Sequence, residues 1–108
     1  MIKAKFFKDN QGNLSGFDIS GHAGYAEEGS DIICAAVSAI AYTAVGYFEE
    51  KKICGTKPNY SERDGHMKLS LSQKESQSTE AKAVLEATLI GLKQIEFSYG
   101  SEYVKVID

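Results

Sequence analysis

Residues 2–8, IKAKFFK, alternate apolar and basic side chains, and residues 14–20, LSGFDIS, alternate again beyond the turn-forming cluster DNQGN at 9–13. A period of two is the signature of a strand with one buried face, so the two segments predict a β-hairpin. Ile2, Ala4, Phe6, Leu14, Phe17 and Ile19 supply its core side, and Gly16, which breaks the alternation, marks a bulge. The period then changes. Residues 21–30 read as a loop, after which Ile33, Val37, Ile40, Ala44, Tyr47 and Phe48 recur at helical spacing and predict a helix from Asp31 to about Ile53. Ser30 or Asp31 can cap its start, Gly55 suits its end, and Pro58, the only proline, follows. NYSERD and HMKLSLS flank Asp64-Gly65, the strongest hairpin dipeptide in the chain. In the second of these strands Met67, Leu69 and Leu71 point one way, and His66, Lys68, Ser70 and Ser72 the other. QKESQS reads as a polar link, and Ser78 or Thr79 caps a second helix running to about Tyr99. Its apolar stripe is Ala83, Val84, Ala87, Leu89, Ile90, Leu92, Ile95 and Phe97; Gly100 ends it, and EYVKVI closes the chain as a strand.

The order is therefore ββαββαβ. It implies an α+β fold of two long helices packed on a mainly antiparallel five-stranded sheet, with residues 1–108 forming one domain. The chain carries 12 Lys and Arg against 15 Asp and Glu, a formal net charge of -3. That balance argues against nucleic acid as the main partner, because phosphate recognition needs a basic patch, and leaves room for a basic protein partner. The first residues, MIKAKFFKDNQGN, contain no apolar h-region, and no apolar run approaches the length of about 20 residues that spans a bilayer. No membrane association is expected. Cys34 and Cys54, at opposite ends of the same predicted helix, sit about 30 Å apart, too far for a disulfide. Two free thiols fit a reducing compartment, so a cytoplasmic protein is expected.

The candidate chemistry lies in ISGHAGYAEEGSDIICAAVSA, residues 19–39. A glycine-rich acidic loop carrying His22 runs into the helix start that carries Cys34. The first turn of a helix presents unpaired N–H groups and a partial positive charge, which stabilise a thiolate, and a nearby imidazole adds a base that later serves as an acid. Those are the parts cysteine nucleophilic catalysis needs, with spare N–H donors for an oxyanion. By spacing alone, burial is still the commoner fate of a free cysteine in an alanine-rich helix, and His22 alone reads as an ordinary loop histidine. Their joint placement raises the catalytic reading without deciding it. Cys54, near the helix C-terminus, and His66, on the polar side of a strand, lack that support and read as non-catalytic. Gly24 to Gly29 match the GxxxxG half of a phosphate loop, but Ser30 and Asp31 follow where Lys and Ser/Thr are required. His22, Glu27, Glu28, Asp31 and Cys34 lack compact metal-ligand spacing, so neither a metal nor another cofactor is expected. Glu27 and Glu28 read as solvated loop charges or as a rim for a basic substrate. Asp31 either orients His22 or simply suits the first helical turn, and Ser38, one turn after Cys34, shares its face.

Gly21-His22-Ala23-Gly24-Tyr25-Ala26 followed by Asp31-Ile32-Ile33-Cys34-Ala35-Ala36-Val37-Ser38 resembles the ribosomal-processing cysteine protease family, the Prp or YsxB-like proteins. The resemblance covers the whole chain in length and element order, with its specific signal in residues 21–38. It implies a protease that removes a short N-terminal extension from a large-subunit ribosomal protein, the one ending at the peptidyl transferase centre. The extension ends in paired aromatics before small and basic residues. The family's catalytic pair carries over to His22 and Cys34, and a homodimer is implied. Gly21, Tyr25, Glu27, Glu28, Asp31 and Ser38 are the candidate substrate contacts. The competing readings are a non-enzymatic ribosome-associated binding module with Cys34 packed, and a thiol redox protein, which would lack a resolving cysteine.

Overall fold

The computed structural model describes residues 1–22, 30–53, 58–63 and 65–108, with Ser30 and Asp31 placed as backbone. Its elements in chain order are β1 (Ile2–Lys8), β2 (Leu14–Ser20), α1 (Ser30–Lys51), β3 (Asn59–Arg63), β4 (His66–Ser70), α2 (Gln73–Ser76), α3 (Thr79–Tyr99) and β5 (Val104–Ile107). The five strands form one sheet in the order β3-β4-β2-β1-β5. Every pairing is antiparallel except β1 with β5. This is the expected α+β architecture.

The alternation puts Ile2, Ala4, Phe6, Phe17, Ile19, Met67, Leu69, Val104 and Val106 on one face, where they join Ile33, Val37, Ala41, Ala44, Val45, Phe48, Leu85 and Leu92 of the long helices in a single core. Leu14 is only partly buried. The bulge falls where Gly16 predicts it: Phe7 pairs with Gly16 and Lys8 with Leu14, which leaves Ser15 as the extra residue. Gly16 is required there because a Cβ would lie 2.1 Å from the Leu69 carbonyl oxygen of β4.

Four details depart from the sequence reading. α1 ends at Lys51, with Lys52 at φ 50° turning the chain out of the helix before Ile53; Gly55, the expected stop, lies outside the described residues. Ile32–Lys51 is 20 residues long with mean hydropathy 1.6, long and apolar enough by those measures to cross a bilayer. Here its apolar side faces the core. The segment read as a polar link is α2, fixed by a capping box: the Glu75 N–H donates to Ser72 Oγ (3.1 Å), and the Ser72 N–H donates to Glu75 Oε1 (2.7 Å). Buried Ser76 then donates to Asp9 Oδ2 (2.6 Å), a bond that lowers the Asp9 pKa and ties α2 to the β1–β2 turn.

The fourth concerns α3. Its buried line is Ala81, Leu85, Thr88 and Leu92, and of the predicted stripe only Leu92 is fully buried. Val84, Leu89 and Ile95 are partly buried, while Ala83, Ala87, Ile90 and Phe97 are exposed, Phe97 by 88%. Positions 83, 87, 90, 94 and 97 form a second line of four-three spacing on the outer side. With apolar residues on both sides of the helix, periodicity alone could not orient it.

Candidate active site

Cys34 and His22 line the same cavity, a cleft of about 240 Å³ between the N-terminal half of α1 and the ends of β2 and β4. Ile2, Ile19, Val37 and Met67 form its apolar floor, and Gly21, Ser38, Tyr42, Glu62, Gly65 and His66 complete the lining. β2 delivers His22 directly: the strand ends at Ser20, and Gly21 donates its N–H to the Gly65 carbonyl of the β3–β4 turn (3.0 Å). The imidazole lies against that turn, so a methyl group on Gly65 would sit 3.2 Å from His22 Nε2. The Asp64-Gly65 hairpin signal therefore has a second use, since its glycine leaves room for the ring.

α1 begins at Ser30, which makes Cys34 its fifth residue, one place beyond the first turn expected for it. Within α1 the N–H groups without helical partners belong to residues 30–32, in the turn before the thiol. Cys34 is a free, half-buried thiol, neither sealed in the core nor fully open. It packs against the core on one side and lines the cleft on the other.

One and two turns further along the same helix face come Ser38 and Tyr42. The Tyr42 hydroxyl donates to Glu62 Oε2, and the Tyr60 hydroxyl donates to Glu62 Oε1 (3.3 Å). The bond to Glu62 raises the Tyr42 pKa, while burial and then the Glu62 charge push that of Tyr60 up to about 12. Both phenols are neutral donors at any physiological pH, and together they fix the Glu62 side chain at the far end of the cleft. Eight residues of α helix separate Cys34 from Tyr42, a distance of about 12 Å.

Residues 1–105 match the family described as cysteine protease Prp. The chain belongs to the Prp family of cysteine proteases. Ribosomal processing cysteine proteases Prp of Staphylococcus aureus and Bacillus subtilis are each 27% identical, the matches covering 92% of this chain and 92% and 90% of theirs. The crystal structure of the S. aureus protease with a covalently linked product peptide matches at a TM-score of 0.83 and 26% identity, covering 99% of this chain and 98% of that one. A crystal structure from Streptococcus mutans matches at a TM-score of 0.79 and 32% identity, covering 99% and 92%. Membership in a Prp family of proteases sets aside the binding-module and redox readings.

Of the candidate site residues, Gly21, His22, Cys34 and Ser38 come together in the cleft. Tyr25, Glu27 and Glu28 lie outside the described residues, as does Cys54, and Asp31 is placed as helix backbone only. His66 reaches the cleft lining, but its Nε2 is engaged by Asp18 Oδ1 at 2.5 Å. Glu62 was missed by sequence reasoning. Its signal was available: Glu62 sits two residues after Tyr60 in β3, so the two share the helix-facing side, and a carboxylate on that side calls for a partner or a task. Among the described residues no cluster of His, Cys, Asp and Glu could hold a metal ion.

Proposed function

We propose that this protease removes the N-terminal extension of a large-subunit ribosomal protein in the cytoplasm, with Cys34 as nucleophile and His22 as general base and acid. The observation that carries the proposal is the convergence of Cys34 and His22 on one cleft at the start of α1. His22 takes the thiol proton, and the sulfur attacks the scissile carbonyl carbon. The resulting oxyanion faces the free N–H groups at the helix start. The imidazolium then protonates the leaving amine, so the peptide bond breaks and an acyl group stays on sulfur as a thioester. His22 next deprotonates water, whose attack on the thioester frees the acid and restores the thiol. The covalently linked product peptide described for the S. aureus relative supports a nucleophilic route over attack by water alone. Incubation with the extended ribosomal protein tests the proposal: one cut near the N-terminus is expected, and an intact substrate would refute it.

The cleft also suits the substrate's charge. An extended peptide rises about 3.3 Å per residue, so the stretch of cleft from Cys34 to Tyr42, the partner of Glu62, accommodates about three to four residues. There Glu62 meets a lysine of a basic ribosomal tail, with Glu27 and Glu28 acting at the rim and Tyr25 and Ser38 contacting the peptide. Glu62→Gln keeps a hydrogen-bonding group for both tyrosines and removes the charge. It is expected to raise KM for a lysine-containing peptide several-fold, about 1 kcal/mol for one charge pair in this exposed setting, and to leave kcat unchanged. Replacing that lysine of the peptide with glutamine should abolish the difference between the two enzymes. A KM equally raised for both peptides would assign Glu62 to the scaffold instead.

The outer line of α3, with Ala83, Ala87, Ile90 and Phe97 exposed at four-three spacing, supports assembly as a homodimer through that helix.

A further inference from the structure

The net charge of -3 hides a strongly segregated surface. Strand alternation that sends apolar side chains towards the helices sends Lys3 and Lys5 of β1, Arg63 of β3, Lys68 of β4 and Lys105 of β5 to the opposite face, all of them exposed. Pairing register aligns them. One row across the sheet reads Arg63, His66, Ser20, Lys3, Lys105, and the next reads Ser61, Lys68, Asp18, Lys5, Ile107. With strands about 4.8 Å apart and rows about 7 Å apart, these cations share a patch about 20 Å wide. Among the described residues of these rows the only carboxylate is Asp18, and it is occupied by His66. Lys105 approaches Glu96 at 4.0 Å, and among the described residues Lys3, Lys5 and Lys68 have no carboxylate within ion-pair reach. In the adjoining row, half-buried Phe7 pairs with Gly16, and the missing side chain there lets Lys68 Nζ lie 5.8 Å from the ring centroid.

We infer that this open sheet face binds single-stranded nucleic acid, on the side of the sheet away from the helices. Cations gathered in two adjoining rows suit a phosphate backbone, and an aromatic ring beside them offers a surface on which a base can stack. An anionic membrane fits less well, because Phe7 and Ile107 are the only apolar side chains these rows offer for insertion. Overall acidity does not oppose binding, since counterion release depends on the cations at the contact and not on the net charge.

Fluorescence anisotropy with labelled 15-nucleotide uridine and thymidine oligomers tests this, the two separating RNA from DNA as the source of the shared phosphate chemistry. Binding of either at 50 mM salt supports the proposal if affinity falls about fifty-fold by 200 mM, as four phosphate contacts on a single strand require. Lys5→Glu with Lys68→Glu should weaken binding at least tenfold, with the melting temperature and peptide cleavage unchanged. Lys51→Glu with Lys82→Glu makes the same charge change on the helices and should leave affinity within about threefold. No binding at 50 mM salt overturns the proposal. So does equal loss in both double variants, or binding only to vesicles of phosphatidylserine and phosphatidylcholine.

Discussion

Cys34→Ala and His22→Ala are each expected to reduce cleavage of the extended ribosomal protein by about 10⁴-fold or more, the scale on which nucleophile and base removal act in other proteases. The two losses should not add. Thiol and imidazole act on one proton, so the double variant should be no slower than either single one. Neither residue belongs to the fully buried core, and circular dichroism and melting temperature should stay at wild-type values. Cys34→Ala should still bind the peptide, which makes it a trap for the complex. Iodoacetamide adds an independent reading: Cys34 should be alkylated before Cys54 near neutral pH, and His22→Ala should slow that labelling. Near wild-type cleavage by either variant would reassign the chemistry, and faster labelling of Cys54 would count against Cys34 as the activated thiol.

The sheet was legible because its strands are amphipathic with one buried side, and a period of two then fixes both location and orientation. Apolar residues at helical spacing did the same for α1. α3 was legible as a helix but not in its rotation: Leu85 and Leu92 face the core while Ile90 and Phe97 face outward, and an apolar count weighs them alike. α2 was lost because its residues are polar. Its capping box from Ser72 to Glu75 was present in the sequence, but only the structure shows that burial against the β1–β2 turn is the reason for it. At the site, His22 and Cys34 were legible as a local motif, a loop leading into a helix. Glu62, Gly65 and Tyr42 were not, because they arrive from a distant hairpin and from two turns along α1, and only the tertiary arrangement assembles them. The basic sheet face escaped for a related reason. Lys3 and Lys5 are close in sequence, but their alignment with Lys68 and Arg63 depends on strand order.

Gly21→Ala is expected to damage catalysis as well as stability, because the backbone there sets where His22 begins. Gly21 has φ 99°, a region L side chains avoid, and a Cβ would meet the Met1 carbonyl oxygen at 2.3 Å. Backbone strain alone costs about 1–3 kcal/mol. The clash adds to it, since no rotamer change relieves a contact between Cβ and backbone. At about 4–8 °C per kcal/mol for a domain of this size, the melting temperature should fall by at least about 5 °C. To relieve the contact the chain must shift at Gly21, whose N–H is bonded to the Gly65 carbonyl, and the shift carries the imidazole away from the thiol. A displacement near 1 Å is enough for about a hundredfold loss of kcat, with KM nearly unchanged because the apolar floor and Glu62 stay in place. Gly12→Ala is the matched control. Gly12 also has positive φ (82°), but it lies in the remote β1–β2 turn, and a Cβ there would meet nothing within 4 Å. It should lose some stability to the same kind of strain and keep full kcat at temperatures where it is folded. A Gly21→Ala enzyme with kcat within twofold of wild type, measured below its melting transition, would show that this junction does not position His22. Equal loss of kcat in both variants would trace the effect to unfolding and not to geometry.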